Sequence, residues 1–197
     1  MKIIKYFRIL CVFLLFGFCA SGAHAAQTMQ LPAPDKKGGM PLMQALAERK
    51  STRSFGDKAV SAQDLSNLLW AAWGVNRTDG RRTAPTARNT QAVDVYVVLE
   101  SGVWRYDGPK HLLEQALPGD LRAKVGGAPV TLLFAAPVED KWAGDHIGSI
   151  YQNAGLYCAS AKLACVVRVA GADGLKGSLK LSKDYQVRIA MAVGWPQ

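Results

Sequence analysis

The heptapeptide Arg49-Lys50-Ser51-Thr52-Arg53-Ser54-Phe55 stands at the end of a predicted amphipathic helix and concentrates three cations and three hydroxyls in seven residues. Guanidinium groups bind a phosphate through paired donors, and short hydroxyls donate to it without bulk. If the helix continued through this string, Arg49 and Arg53 would share one face and clamp a dianion. Spacing alone favours a simpler interpretation, in which cations end a helix because the macrodipole attracts them.

A second unusual string, Ala84-Pro85-Thr86-Ala87-Arg88-Asn89-Thr90-Gln91, occurs further along the chain. It ends a polar, basic stretch over 75–91 that is long for a connection without regular structure, and long connections of this kind are often functional. The alternating, β-branched segment 92–99 that follows is predicted to be a strand. Together the two strings indicate a site for a phosphorylated, planar cofactor.

The pattern Arg-x-Ser-x-Arg-x-Phe after an amphipathic helix resembles the opening motif of the nitroreductase family, FMN-dependent oxidoreductases that work as intertwined dimers. The resemblance implies that Arg49, Lys50 and Ser51 hold the phosphate and ribityl chain of FMN, with Arg53 against the same cofactor. The string 85–91 resembles the family's Pro-Ser-x-x-Asn-x-Gln segment, which reaches the flavin from the other subunit. The FMN-binding residues implied there are Pro85, Thr86, Ala87 and Asn89.

Two later segments extend the resemblance. Gln152-Asn153-Ala154-Gly155-Leu156-Tyr157 resembles the family's long core helix, and Cys165-Val166-Val167-Arg168 resembles the strand whose backbone lies along the isoalloxazine ring. Val167 and Arg168 are therefore implied to line the flavin. Val193-Gly194-Trp195-Pro196 resembles the closing strand and turn. The motifs occur in the family's order, and the general pattern is most similar to a short branch related to peptide-azoline dehydrogenases.

The sequence also departs from the family pattern at two places. Relatives commonly continue beyond the closing turn and supply a further basic pair to the phosphate, whereas this sequence stops at Gln197. Arg168, or one of the group Arg77, Arg81 and Arg82, is a candidate for the missing cation. In addition, the Gly-Leu-Gly expected after the core helix reads Lys162-Leu163-Ala164.

Length and N-terminal composition define the predicted domains. A chain of 197 residues is ordinarily one domain with one core. Three cations precede an apolar run over 9–18, and Ala23-His24-Ala25 offers a small-x-small cleavage site, so we interpret 1–25 as a signal peptide. Residues 26–39, rich in Pro, Lys and Gly, are predicted to be a linker, and 40–197 the FMN-binding domain. The expected location is periplasmic or secreted, with no stable membrane span after cleavage.

The formal charge of +9 would permit binding to nucleic acid or to an anionic membrane surface. Export argues against nucleic acid, and the sequence lacks an interleaved aromatic and basic stretch that would form a stacking platform. The cations cluster instead at 49–53 and 77–88. A small anionic ligand explains that clustering better.

Hydrophobic periodicity predicts an α+β fold: a mixed sheet surrounded by helices, with a long buried core helix. The resemblance implies that the sheet is mainly antiparallel and that the protein is an intertwined homodimer. Helices are predicted from Pro41, from Ser61 to Gly74 and over 145–163, with short helical pieces at 112–117, 120–125 and 174–181. Strands are predicted at 92–99, 103–106, 129–136, 165–169 and 188–193.

Other kinds of site have weak support in the sequence. Cys158 and Cys165 would lie roughly 10 Å apart along one helix, too far for a disulfide, and are interpreted as buried packing. His111 and His146 lack metal-ligand spacing. The sequence has neither a Gly-x-Gly-x-x-Gly after a strand nor a Gly-x-Ser-x-Gly elbow.

The predicted function is two-electron transfer through bound FMN to or from a small organic substrate, with NAD(P)H or another electron donor. Because the flavin carries the chemistry, no catalytic side chain is named. Two alternatives stay open. One is a flavin-dependent dehydrogenase oxidising an azoline-like substrate, since reduced nicotinamide is not expected to be plentiful outside the cytoplasm. The other is a non-enzymatic binding module for an anionic ligand.

Overall fold

The structure is a computed structural model that describes residues 27–169, 171–182 and 184–197, and the predicted signal peptide lies outside them. The strands are β1 (Thr28–Gln30), β2 (Asp94–Leu99), β3 (Gly102–Asp107), β4 (Leu112–Pro118), β5 (Val130–Pro137), β6 (Ala164–Arg168) and β7 (Tyr185–Gly194). The α-helices are α1 (Leu42–Glu48), α2 (Ala62–Trp73) and α3 (Ala143–Ser160). Two short 3-10 helices, Ala87–Asn89 and Arg122–Val125, lie in connections.

The strands form one seven-stranded sheet in the order β1-β4-β3-β2-β5-β7-β6. All pairings among these described strands are antiparallel, as between β5 and its neighbours β2 and β7. Strand β5 is buried along nearly its whole length because both faces of the sheet are covered there. The α+β class and the mainly antiparallel sheet are therefore confirmed.

Helices α2 and α3 pack against one face of the sheet and build the main core. Ser61 caps the start of helix α2, where its hydroxyl accepts from the Asp64 N–H at 3.0 Å, and Gly74 caps the other end. Helix α3 buries Ile147, Ile150 and further apolar side chains in this core. The opposite face carries a second apolar cluster, to which the segment 171–182 contributes.

Three local predictions are wrong. Segment 112–117, predicted as helical, forms β4 because its backbone pairs with both β3 and β1. Segment 174–181 forms turns instead of a helix, and Gly177 within it adopts a left-handed backbone conformation. The predicted linker 26–39 supplies β1, which covers the edge of the sheet and packs Met29 on the main core.

Helix α1 buries little of its predicted apolar face. Ala45 is buried, whereas Leu42, Met43 and Leu46 are 63%, 76% and 45% exposed. Scattered exposed apolar residues are normal, but three neighbouring ones on one short helix form an apolar surface. We call Leu42, Met43 and Leu46 the α1 apolar face.

One departure from the family pattern, Lys162 in place of the expected glycine, lies at the end of α3. The N–H of Leu163 donates to Cys158 O at 2.8 Å and that of Lys162 to Ala159 O at 3.2 Å, the two bonds of a Schellman motif. Lys162 adopts a left-handed conformation, with φ of 61°. This is the conformation for which glycine is preferred, so the lysine is strained.

A buried polar network ties the N-terminal segment to α2. The His111 ring contacts Ser66 Oγ at 2.8 Å and Pro32 O at 3.1 Å through Nε2, and Tyr106 Oη at 2.8 Å through Nδ1. A neutral ring protonated on Nε2 satisfies all three contacts, since the Tyr106 hydroxyl can donate to Nδ1. Burial lowers the pKa of His111 and so favours this neutral form.

Candidate functional site

The heptapeptide 49–55 leaves α1 instead of continuing it. Arg49 is the C-cap of α1, and its ψ of 120° turns the chain into an extended path. The Thr52 N–H then donates to Cys165 O at 2.8 Å, and the Gly56 N–H donates to Trp195 O at 2.9 Å. The prediction that Arg49 and Arg53 share a helical face is wrong, because the backbone here bonds to the ends of β6 and β7.

A cavity of about 540 Å³ opens beside this string, within the size range of small-molecule sites. Lys50 and Thr52 line it together with Gly155 of α3 and Cys165 of β6. The Arg49 side chain runs past the same part of α3, where a Cβ on Gly155 would lie 3.7 Å from Arg49 Cδ. We call this the α1–α3 cavity.

The donors of the phosphate string, residues 49–55, lie beside this cavity, where Lys50 lines it, and they suit a phosphorylated ligand. Arg49, Lys50 and Ser51 are exposed, and they offer guanidinium, ammonium and hydroxyl donors in sequence. One acid, Glu48, also lines this cavity, and its carboxylate is paired there with Lys162 Nζ at 2.7 Å. The residues present therefore fit a phosphate group.

Cys165 brings a thiol to the α1–α3 cavity. Because α3 ends at Ser160 and the chain reverses, Cys165 enters β6 beside Cys158, so the premise that one helix separates the two thiols is wrong. The hydrogen bond with Cys165, and then burial, raise the pKa of the Cys158 thiol. The same bond lowers the pKa of the Cys165 thiol, and the charge of Arg49 acts in the same direction. Both cysteines are free.

Arg53 and Arg168 lie at a different cavity, of about 900 Å³. The Arg168 guanidinium donates to Val125 O at 2.8 Å and lies across Gly126, where a Cβ would meet it at 2.5 Å. Its side chain therefore holds the turn after the second 3-10 helix, and its role as the missing phosphate cation stays a prediction. Val167, on the opposite face of β6, packs against the main core.

The second string is held in a strained conformation. Arg88, Asn89 and Gln91 have φ of 53°, 54° and 50°, a region that residues other than glycine rarely adopt. The Thr86 hydroxyl accepts from the Gln91 N–H at 3.1 Å and closes the segment on itself. Strain of this kind persists only where surrounding contacts fix it, and it is typical of functional segments.

His146 is the main contact that fixes this segment and was missed from the sequence. Its Nε2 accepts from the Ala87 N–H at 2.8 Å, and its Nδ1 lies 3.4 Å from the carboxylate of Asp140. Nδ1 makes no hydrogen bond with good geometry, so the Asp140 contact orients the ring only loosely. The sequence offered no signal for this role beyond a histidine in the first turn of a long helix.

The other arginine candidates for the missing cation differ in how far they are engaged. Arg82 donates to Trp73 O at 3.0 Å and to Gln91 Oε1 at 2.8 Å, and its guanidinium lies 4.9 Å from the centre of the Trp73 ring. Arg81 pairs with Asp79 at 3.4 Å. The Arg77 guanidinium donates to Asn76 Oδ1 at 3.1 Å.

The structure does not bring the two strings together within one chain. Pro85, Thr86, Arg88 and Asn89 line a cavity of about 400 Å³ with three further arginines, while Lys50 and Thr52 line the α1–α3 cavity. Their convergence from two protomers remains a prediction.

Neither a metal site nor a membrane-spanning helix has support within the described residues. No three His, Cys, Asp or Glu side chains there lie close enough to share a metal ion. In the same part of the chain, none of the helices combines the length and apolarity needed to cross a bilayer.

Comparison with known proteins identifies relatives over most of the chain. The sequence model of the Nitroreductase family matches residues 46–195. A Methanocaldococcus jannaschii protein whose name places it among nitroreductases is 28% identical over 193 residues, covering 85% of this chain and 96% of its own.

Solved structures agree with this match. A Ralstonia eutropha protein described as a nitroreductase superposes with a TM-score of 0.79 and 38% identity, covering 86% of this chain and 90% of its own. A Bacteroides fragilis nitroreductase crystallised with bound FMN superposes with a TM-score of 0.58 at 16% identity, covering 79% and 88% of the two chains. At that identity the likeness concerns the fold.

Proposed function

The chain belongs to the nitroreductase family, and on that premise we propose that it is an FMN-dependent oxidoreductase. It transfers two electrons through the bound flavin to or from a small organic substrate. The observation that carries the proposal is the position of Arg49, Lys50 and Ser51, exposed beside the α1–α3 cavity at the point where the family's phosphate motif occurs.

The first string holds the phosphate end of FMN. Arg49 and Lys50 supply charge-assisted donors, and Ser51 supplies a short neutral donor. Arg53 lies at the neighbouring 900 Å³ cavity, so in this proposal it contacts the cofactor from a different side than Arg49. The backbone at Val167 and Arg168 lines the flavin, and the Arg168 side chain supports the turn behind it.

The site is completed by a second copy of the chain. The α1 apolar face immediately precedes the phosphate string and is left exposed in one protomer. Burying it in a homodimer would remove three large apolar side chains from water and would favour association. Pro85, Thr86, Ala87 and Asn89 of one protomer then reach the flavin ring of the other.

When bound, FMN supplies the redox chemistry, and this chain's residues bind it, orient it and shield it from water. His146 fixes the Ala87 backbone, so the segment that meets the ring is held in one conformation before the cofactor arrives. The electron donor in this proposal is NAD(P)H or another reductant available where the protein is located.

The mature protein is exported. The proposal rests on the signal-peptide pattern over 1–25, with cleavage after Ala25. Intact-mass measurement of the protein from a periplasmic or secreted fraction tests it. Full-length protein confined to the cytoplasm would refute export and leave the flavin proposal intact.

Cofactor binding is tested by purifying the protein and titrating it with FMN. We expect a yellow protein, or a colourless one that takes up FMN, and a spectrum that bleaches on anaerobic addition of NADPH. Arg49→Ala should weaken FMN binding at least tenfold, from loss of a charged contact worth about 1.5–3 kcal/mol. The exposed cation Lys176, replaced by alanine, is the matched control.

The outcomes separate the remaining alternatives. Protein that takes up no FMN refutes the cofactor assignment and leaves an anion-binding module. FMN affinity unchanged in Arg49→Ala refutes the assignment of the FMN phosphate to this string. If an azoline-like substrate reduces the bound flavin and NADPH does not, the protein is a dehydrogenase.

Dimer formation is tested by the mass of the protein in solution. Met43→Glu places a charge on the α1 apolar face and should shift the protein to monomers. Val138→Glu changes another exposed apolar residue and serves as control. A wild-type monomer at micromolar concentration contradicts the dimer.

A further inference from the structure

A cationic cavity of about 400 Å³ lies under the second string. It is lined by Arg77, Arg81, Arg82, Ala84, Pro85, Thr86, Arg88 and Asn89. The stretch 77–91 carries four arginines against one acid, Asp79. We call this the arginine cavity.

The four arginines divide into structural and available ones. Arg82 is half-buried and bound to Trp73 O and Gln91, and burial lowers its pKa. Arg81 is paired with Asp79. Within the described part of the chain, neither Arg77 nor Arg88 has a carboxylate at ion-pair distance, so two guanidinium groups remain to meet an anion.

The walls of the cavity are built in advance of any ligand. Gln91 joins Arg82 to the Gly80 carbonyl, with distances of 2.8 Å and 3.2 Å, so both ends of the stretch are fastened together. Arg88 and Asn89 are held at positive φ by this arrangement and by the His146 bond to Ala87. Fixing Arg88 in a strained conformation reduces the ordering cost of binding through it.

We infer that the arginine cavity binds the anionic group, a phosphate or a carboxylate, of the molecule that exchanges electrons with the flavin. The inference rests on the proposed function, because the cavity shares Pro85, Thr86 and Asn89 with the segment that reaches the flavin ring. FMN's own phosphate is assigned to the string at Arg49, which lines no part of this cavity. Guanidinium forks and a small pre-formed space select one anionic group and exclude a nucleic-acid backbone.

Two sources share this chemistry, and substrate pairs distinguish them. NADPH and NADH differ by one phosphate, and 4-nitrobenzoate and 4-nitrobenzamide differ by one carboxylate. In FMN-loaded Arg77→Gln/Arg88→Gln, kcat/KM should fall roughly tenfold or more for the anionic member of one pair, with its neutral or less charged partner nearly unchanged. A loss of kcat/KM for NADPH but not NADH shows that the cavity binds the electron donor. A loss for 4-nitrobenzoate but not 4-nitrobenzamide shows that it binds the electron acceptor.

Lys176→Gln controls for a change in overall charge. Arg88→Lys, which keeps the positive charge, should lose less kcat/KM for the anionic substrate than the double variant does. Equal kcat/KM effects on both members of each pair, or none, overturn the inference. FMN content of the double variant should equal that of wild type.

A binding measurement keeps the inference testable without turnover. Pyrophosphate, at ionic strength matched with chloride, should raise the melting temperature of wild type and of Arg49→Gln. It should not raise that of Arg77→Gln/Arg88→Gln. A shift retained in the double variant and lost in Arg49→Gln overturns the inference, because the anion then binds at the phosphate string. If the protein binds no FMN but pyrophosphate shifts the melting temperatures as expected, the proposed function alone is refuted.

Discussion

Lys162→Gly is predicted to stabilise the protein, because Lys162 holds a left-handed conformation after α3, with φ of 61°. That conformation costs an L-residue about 1–2 kcal/mol relative to glycine. The hydrogen bonds of the Schellman motif come from the backbone, and glycine retains them.

Two effects oppose the gain. Glycine adds about 0.4–1 kcal/mol of unfolded-state entropy that folding must overcome. The substitution also removes the ion pair with Glu48, but both side chains are substantially exposed, and such pairs contribute little. The net expectation is stabilisation by about 0.5–1 kcal/mol, or about 1–4 °C in melting temperature for a domain of this size.

Urea and thermal unfolding of wild type, Lys162→Gly, Lys162→Ala and Glu48→Gln measure these terms separately. Lys162→Ala keeps the backbone strain and loses the ion pair, whereas Glu48→Gln loses the pair alone. We expect the glycine variant to be the most stable of the four. If it is no more stable than Lys162→Ala, the left-handed strain is not relieved by glycine and the reasoning fails.

Three further predictions concern other parts of the fold. Since burial lowers the pKa of His111, the stability that its neutral form contributes is present above the unfolded pKa of about 6.5 and is lost as the pH falls toward the folded value. Urea unfolding of wild type at pH 7.5 and pH 5 should show this loss, and His111→Gln should reduce it; equal pH dependence in both proteins would contradict it. Arg168→Met leaves the buried Val125 carbonyl unpaired and should lower the free energy of unfolding by about 1–3 kcal/mol. FMN affinity should stay within a few-fold of wild type. A selective loss of FMN affinity would show that the Arg168 side chain binds the cofactor. Cys165, at the α1–α3 cavity, should react with a small thiol reagent in the folded protein, whereas Cys158 should react only on unfolding. Peptide mapping after labelling distinguishes the two thiols. Rapid labelling of Cys158 in the native state would contradict its burial.

The sequence alone established the family, the fold class and the positions of most elements. The Ser61 cap, the apolar run of β5 and the long helix α3 were predictable because each depends on residues close together in the chain. The two basic strings were also visible as strings, since charge and hydroxyl content need no partner to be recognised.

Tertiary structure decided what those strings contact. Arg49 and Arg53 separate because the Thr52 N–H pairs with Cys165, more than a hundred residues away. Arg168 donates to Val125 O, and His146 accepts from the Ala87 N–H, and no local sequence pattern predicts either hydrogen bond. Segment 112–118 became a strand for the same reason. Backbone donors and acceptors are satisfied wherever the fold brings a partner, and the identity of that partner is set by distant segments.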